Sequence, residues 1–117
     1  MKERRMFERI NAPLKIKYEV MVGLPSSKTA VSKDISGGGI KLALSENLEA
    51  GTELKLDIEI PSEKEKITSA YGKVMWSRKV EISGKKPTTY YETGIKFMKV
   101  NPLSIGKIFR YFLEENK

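Results

Sequence analysis

Residues 53–60, Glu53-Leu54-Lys55-Leu56-Asp57-Ile58-Glu59-Ile60, alternate without exception between charged and aliphatic side chains. Successive side chains of an extended strand point to opposite faces. The stretch therefore puts Leu54, Leu56, Ile58 and Ile60 on one side and four charges on the other, the pattern of a strand with one buried face. Pro61-Ser62 ends it, and Glu63-Lys64-Glu65-Lys66 reads as a solvated connection.

The same period extends in both directions. Upstream, Leu14, Ile16, Tyr18, Val20 and Val22 alternate with Lys15, Lys17, Glu19 and Met21, and Gly23-Leu24-Pro25-Ser26-Ser27 breaks the pattern as a loop. Thr29 to Ile35 is a weaker strand, Ser36-Gly37-Gly38-Gly39 interrupts, and Ile40, Leu42 and Leu44 resume the alternation. Downstream, Ile67 to about Ile82 is long, with Ala70, Gly72, Val74 and Trp76 sharing one parity. Ser83-Gly84-Lys85-Lys86-Pro87 is a hairpin loop, and Tyr91, Thr93, Ile95 and Phe97 form the last alternating run.

At Asn101-Pro102 the period changes. Asn is a preferred helix N-cap, and Pro suits the first turn, where its missing N–H costs nothing. Leu103, Ile105, Ile108, Phe109, Phe112 and Leu113 then follow at helical spacing. The expected fold is mainly β: a six-stranded antiparallel β-barrel with one C-terminal α-helix, closure of the barrel removing exposed edges. The chain divides into a mobile, arginine-bearing segment 1–11, a barrel over 12–99 and a helix over 101–116, within a single domain spanning 1–117. No repeat or linker interrupts it.

Composition narrows the chemistry. The chain has 117 residues, no cysteine and no histidine. That removes thiolate nucleophiles, disulfides, thiolate or imidazole metal sites and the Ser-His-Asp triad. No metal site is expected, and Glu63, Glu65, Glu114 and Glu115 stand beside lysines with no desolvating pocket for acid–base work. The chain is read as no enzyme. The N-terminus lacks the apolar core of a secretory signal and no run approaches a membrane span, so a cytoplasmic protein without membrane insertion is expected.

The 22 Lys+Arg against 15 Asp+Glu leave a net charge of +7. Most of the surplus is N-terminal, where Arg4, Arg5 and Arg9 fall within the first nine residues. Arginine's planar fork binds phosphate and guanine edges bidentately. An anionic partner is the natural expectation.

Two short motifs give that expectation a shape. Arg5-Met6-Phe7-Glu8-Arg9 is an R-x-x-x-R spacing with Arg4 before it, and Asp34-Ile35-Ser36-Gly37-Gly38-Gly39 is a D-x-S-x-x-G. Alone, each is weak, since arginines four apart are common on solvated faces and the second can be simply a turn. In this order, followed by barrel strands, they resemble the PilZ domain, the bacterial receptor module for cyclic di-GMP. Val74-Met75-Trp76 and Gly94-Ile95-Lys96-Phe97 resemble the family too, so the resemblance covers nearly the whole chain.

The resemblance implies a stand-alone receptor or adaptor that binds cyclic di-GMP as a ligand, needs no cofactor, changes conformation and signals through an unidentified protein effector. It implies that Arg5 and Arg9 fork onto phosphate or guanine, and that Asp34 accepts from guanine N–H groups or holds an arginine. Ser36 would supply a hydroxyl, and Gly39 would let the backbone approach the ligand. Arg4 would favour a stacked ligand pair, or is a solvated arginine. Gly38, Trp76 and Arg78 are further candidates. Trp76 is expected chiefly to pack in the core near the rim, and Arg78, on the same parity, to lie at a barrel end because an unpaired charge cannot be buried. Tyr90 and Tyr91 are assigned to structure. The rival reading is a small basic barrel that binds single-stranded nucleic acid. The lack of an exposed aromatic row speaks against it, and no DNA or RNA partner is expected.

Overall fold

The computed structural model describes residues 9–23, 27–60 and 67–115. It contains seven strands, β1 (Ile10–Asn11), β2 (Lys15–Val20), β3 (Ser27–Ile35), β4 (Gly39–Leu44), β5 (Glu53–Glu59), β6 (Ile67–Ile82) and β7 (Thr88–Lys99), and one helix, α1 (Pro102–Glu115). Six of the strands run β3-β2-β5-β6-β7-β4 and close through a β3–β4 pairing, with every neighbour antiparallel. This is the six-stranded barrel and terminal helix that the alternation indicates. The added strand β1, two residues long, is too short to leave a periodic signal.

The interior is filled by the aliphatic parity of each strand. Leu54, Leu56 and Ile58 of β5 are fully buried, as are Ile40 and Leu42 of β4, and Ile16 of β2 is nearly so. Helix α1 packs against this core, with Ile105 and Ile108 buried in the same cluster and Phe109 and Phe112 half-buried against it. The Asn101 side-chain oxygen accepts from the Leu103 N–H at 3.0 Å, the N-cap that the sequence announces.

Alternation alone does not describe β3 and β6, because each carries a bulge. In β3, Ser32 faces Leu42 but Asp34 faces Lys41, so two steps on β3 match one on β4. In β6, Val74 faces Ile95 but Trp76 faces Gly94. An extra residue in one strand reverses which parity points inward beyond it. Thus Ser32 and Ile35 both face the interior, while Asp34 turns outward. Likewise Val74 is buried, and Trp76 and Arg78, on the same parity, are on the outside.

The β3 bulge is stitched to the incoming chain. The Ser32 hydroxyl accepts from the Leu14 N–H at 2.9 Å and donates to the Ala12 carbonyl. Beyond these contacts β1 runs along β3, with Ile10 opposite Ile35 and Asn11 opposite Asp34. That pairing delivers Arg9 to Asp34. Arg4 and Arg5 lie outside the described residues.

Candidate ligand-binding face

The outward-facing residues of β3, β4, β7 and β6 meet across four adjacent strands. Ladder positions set Asp34 beside Lys41, Lys41 beside Gly94, Gly94 beside Trp76, and Glu92 beside Arg78. Charges alternate along this strip. Arg9 Nη1 donates to Asp34 Oδ1 at 2.5 Å, and Lys41 Nζ lies 3.2 Å from Asp34 Oδ2 and 3.9 Å from Glu92 Oε2. Arg78 Nη2 donates to Glu92 Oε1 at 2.5 Å, and Lys33 Nζ stands 3.5 Å from Glu92 Oε2.

The carboxylates are sunk and the guanidiniums are not. Asp34 and Glu92 side chains are 13% and 9% exposed, whereas Arg9 and Arg78 are 51% and 66% exposed. The hydrogen bond from Arg78 holds the Glu92 carboxyl below its ordinary value, with Lys41 and Lys33 adding to the effect and desolvation opposing it. The same bond raises Arg78. Lys33 also donates to the Tyr90 hydroxyl at 2.7 Å, which raises the lysine, and its ammonium lies 4.8 Å from the Tyr90 ring centroid. Glu92 therefore stays charged at neutral pH, and both carboxylates hold cations whose remaining surface faces solvent.

The turn after Asp34 is built by Ser36. Its buried hydroxyl accepts from the N–H groups of Gly38 at 3.2 Å and Gly39 at 3.1 Å, and its own N–H donates to the Gly39 carbonyl at 2.8 Å. The Phe97 N–H donates to the Gly38 carbonyl at 2.9 Å, which pins the turn to β7. Ser36 shapes the loop. Gly39 is needed inside the sheet, because a Cβ there would collide with the Ile95 carbonyl oxygen.

A shallow pocket of about 310 Å³ lies at this turn, bounded by Arg9, Ser36, Gly38, Gly39, Trp76 and Gly94 among others. Five of the sequence-predicted site residues are thus brought together. Asp34 stands behind Arg9, and Arg78 lies two residues along β6 from Trp76. The expectation that Trp76 packs in the core is overturned: the residue is 43% exposed, because the bulge at Met75 turns it outward. Arg78, placed by parity at a barrel end, lies on the outer wall for the same reason.

Lys33, Lys41 and Glu92 were not singled out by sequence reasoning, and Tyr90 was assigned to structure alone. Their membership depends on strand register and on the two bulges, which one sequence does not display. A larger, mostly apolar groove of about 660 Å³ runs along Lys15, Val31, Ala43 and Ile67 and reaches this face at Tyr90, but holds none of the predicted site residues. Among the described residues, no helix is long and apolar enough to cross a membrane.

Comparison with known proteins follows the same lines. The PilZ domain model matches residues 3–114. No curated protein matches the sequence significantly. Among solved structures, the PilZ domain of YcgR from Escherichia coli, solved with c-di-GMP, superposes with a TM-score of 0.70 at 17% identity, covering 95% of this chain and 90% of that one. The Bacillus subtilis inhibitor of motility MotI/DgrA gives 0.71 at 18% identity, covering 97% of this chain and 54% of its own. PlzA of Borreliella burgdorferi, in complex with c-di-GMP, gives 0.58 at 15% identity, covering 94% and 53%. The chain thus spans about half the length of the latter two, and at such identities the likeness is one of fold. A match over nearly its full length, on a six-stranded barrel with a C-terminal helix, places the chain in the PilZ domain family.

Proposed function

We propose that this chain is a receptor for cyclic di-GMP, bound on the outer face that joins Arg9, the Ser36–Gly39 turn and Trp76. The observation that carries this reading is the Arg9–Asp34 pair at the mouth of the pocket beside that turn. The ligand has two phosphates and two guanines. Arg9, Lys33, Lys41, Arg78 and Lys96 set five cations on this face against the two carboxylates Asp34 and Glu92, so the face has surplus positive charge for a dianion.

The roles follow from the contacts. Arg9 presents its open edge to phosphate or to guanine O6 and N7. Of the two roles open to Asp34, holding an arginine is the one supported, since Arg9 and Lys41 already engage its two oxygens. Trp76 offers an exposed indole on which a base can stack. Arg4 and Arg5 supply further guanidiniums to the phosphates and guanines. Ligand binding changes the shape and charge of the face and gives a protein effector something to recognise. The chemistry is binding, with no bond made or broken.

Calorimetric titration of the full chain with cyclic di-GMP tests the reading and gives stoichiometry as well. Saturable heat with a Kd below tens of micromolar is expected, with one ligand or a stacked pair per chain. Absence of heat at that concentration overturns it. If single-stranded oligonucleotide binds with a steep salt slope and cyclic di-GMP does not displace it, the nucleic-acid rival holds instead.

A further inference from the structure

We infer that Glu92 is a positioning residue for the ligand face: a sunken carboxylate that fixes the Arg78 guanidinium beside Trp76, as Asp34 fixes Arg9. The inference rests on the receptor reading above and extends it to a residue outside both sequence motifs.

Glu92 sits on β7, faces outward, and is nevertheless only 9% exposed in its side chain because cations cover it. Its Oε1 is engaged by Arg78 Nη2 at 2.5 Å, and its Oε2 lies 3.5 Å from Lys33 Nζ and 3.9 Å from Lys41 Nζ. Lys41 in turn is 3.2 Å from Asp34 Oδ2. The strip therefore holds the same unit twice: an exposed guanidinium backed by a largely covered carboxylate, Arg9 on Asp34 and Arg78 on Glu92, with Lys41 between the two acids. Arginine carries several rotatable bonds, and holding it in place before the ligand arrives removes an ordering cost from binding. Asp34 lies within a recognisable motif. Glu92 performs the equivalent task from a strand where no spacing marks it.

Charge and positioning predict opposite signs, which makes the inference testable. Neutralising Glu92 makes the face more positive, so charge attraction alone predicts tighter binding of a dianion. Positioning predicts weaker binding, because Arg78 loses its anchor.

The experiment is calorimetric titration of cyclic di-GMP into the native chain, Glu92→Gln, Arg78→Ala and the double variant, with thermal melts to verify folding. Glu92→Gln should weaken binding about tenfold, Arg78→Ala by a similar factor, and the double variant by little more than either, since the two act as one unit. Unchanged or tighter binding by Glu92→Gln, or losses that simply multiply in the double variant, overturns the assignment while leaving the receptor reading intact. Absence of heat with the native chain overturns the receptor reading and the assignment with it. Should Glu92→Gln fail to fold, Glu92→Asp decides: it keeps the charge and withdraws the carboxylate by one methylene. Weakened binding supports positioning, and native affinity overturns it.

Discussion

Trp76 lies directly opposite Gly94 in the β6–β7 ladder, and its indole occupies the space that a side chain at position 94 would need. A Cβ built on Gly94 meets the indole nitrogen and its neighbouring ring carbons well inside contact distance. The tryptophan is therefore seated on the sheet by the absence of a side chain beneath it.

Gly94→Ala should dislodge the indole or push the strands apart. The cost expected of forced packing is about 1–3 kcal/mol. Denaturant unfolding measures it, and because Trp76 is the sole tryptophan of the chain, its fluorescence reports the displacement in the same titration.

Trp76→Ala is expected to act mainly on binding, because the side chain is outside the core. Loss of a base-stacking platform should weaken cyclic di-GMP by about 1–3 kcal/mol. In the native chain, saturating ligand should change the tryptophan emission. A constant spectrum under saturation would place the ligand away from Trp76.

Arg9→Ala should lower affinity by about 2 kcal/mol or more, the scale of a lost charge-assisted bond to a ligand. The melting temperature should scarcely move, since an exposed ion pair is worth little to folding. Arg9→Lys should recover only part of the affinity, because an ammonium lacks the bidentate fork. Calorimetry beside thermal melts separates the two effects.

Acid should destabilise the fold through two carboxylates. Glu46 Oε2 accepts from the buried Tyr18 hydroxyl at 2.6 Å and from Lys28 at 2.9 Å, and these bonds hold it below its ordinary value of 4.5. Glu92 is lowered too, chiefly by Arg78. A group whose folded pKa is depressed contributes stability that is complete above its unfolded value and disappears as pH falls through the folded one. The melting temperature should thus hold down to about pH 5 and fall below it. Glu46→Gln should melt lower than the native chain at pH 7, with the gap closing under acid. Tyr18 shifts upward from 10.0, first through burial and then through Glu46, so a second decline belongs above about pH 10.

Much of this architecture is legible in the order of residues. Leu54, Leu56 and Ile58 declare their strand because burial on one face demands period two, and Asn101-Pro102 marks the helix start because the first turn needs a cap. Arg9, Asp34, Ser36 and Gly39 can be found through their resemblance to a known pattern. Trp76 was misread because parity was carried through Met75, where a bulge resets it. Glu92 and Lys41 gave no signal at all: each looks like an ordinary surface charge until the register sets it beside Arg78 or Asp34. Ser36 is marked by its motif, but its hydroxyl serves the turn, a use that only the hydrogen bonds disclose.

The bulges at Lys33 and Met75 act on side chains much as a shifted reading frame acts on codons. Each exchanges lining and surface positions beyond it while altering no residue identity. Point substitutions can therefore tune this face without creating or abolishing it. Running either strand without its bulge, every residue kept, would turn Asp34, or Trp76 with Arg78, toward the aliphatic interior. The arrangement of this face is held by the register of two strands as firmly as by the kind of residues in them.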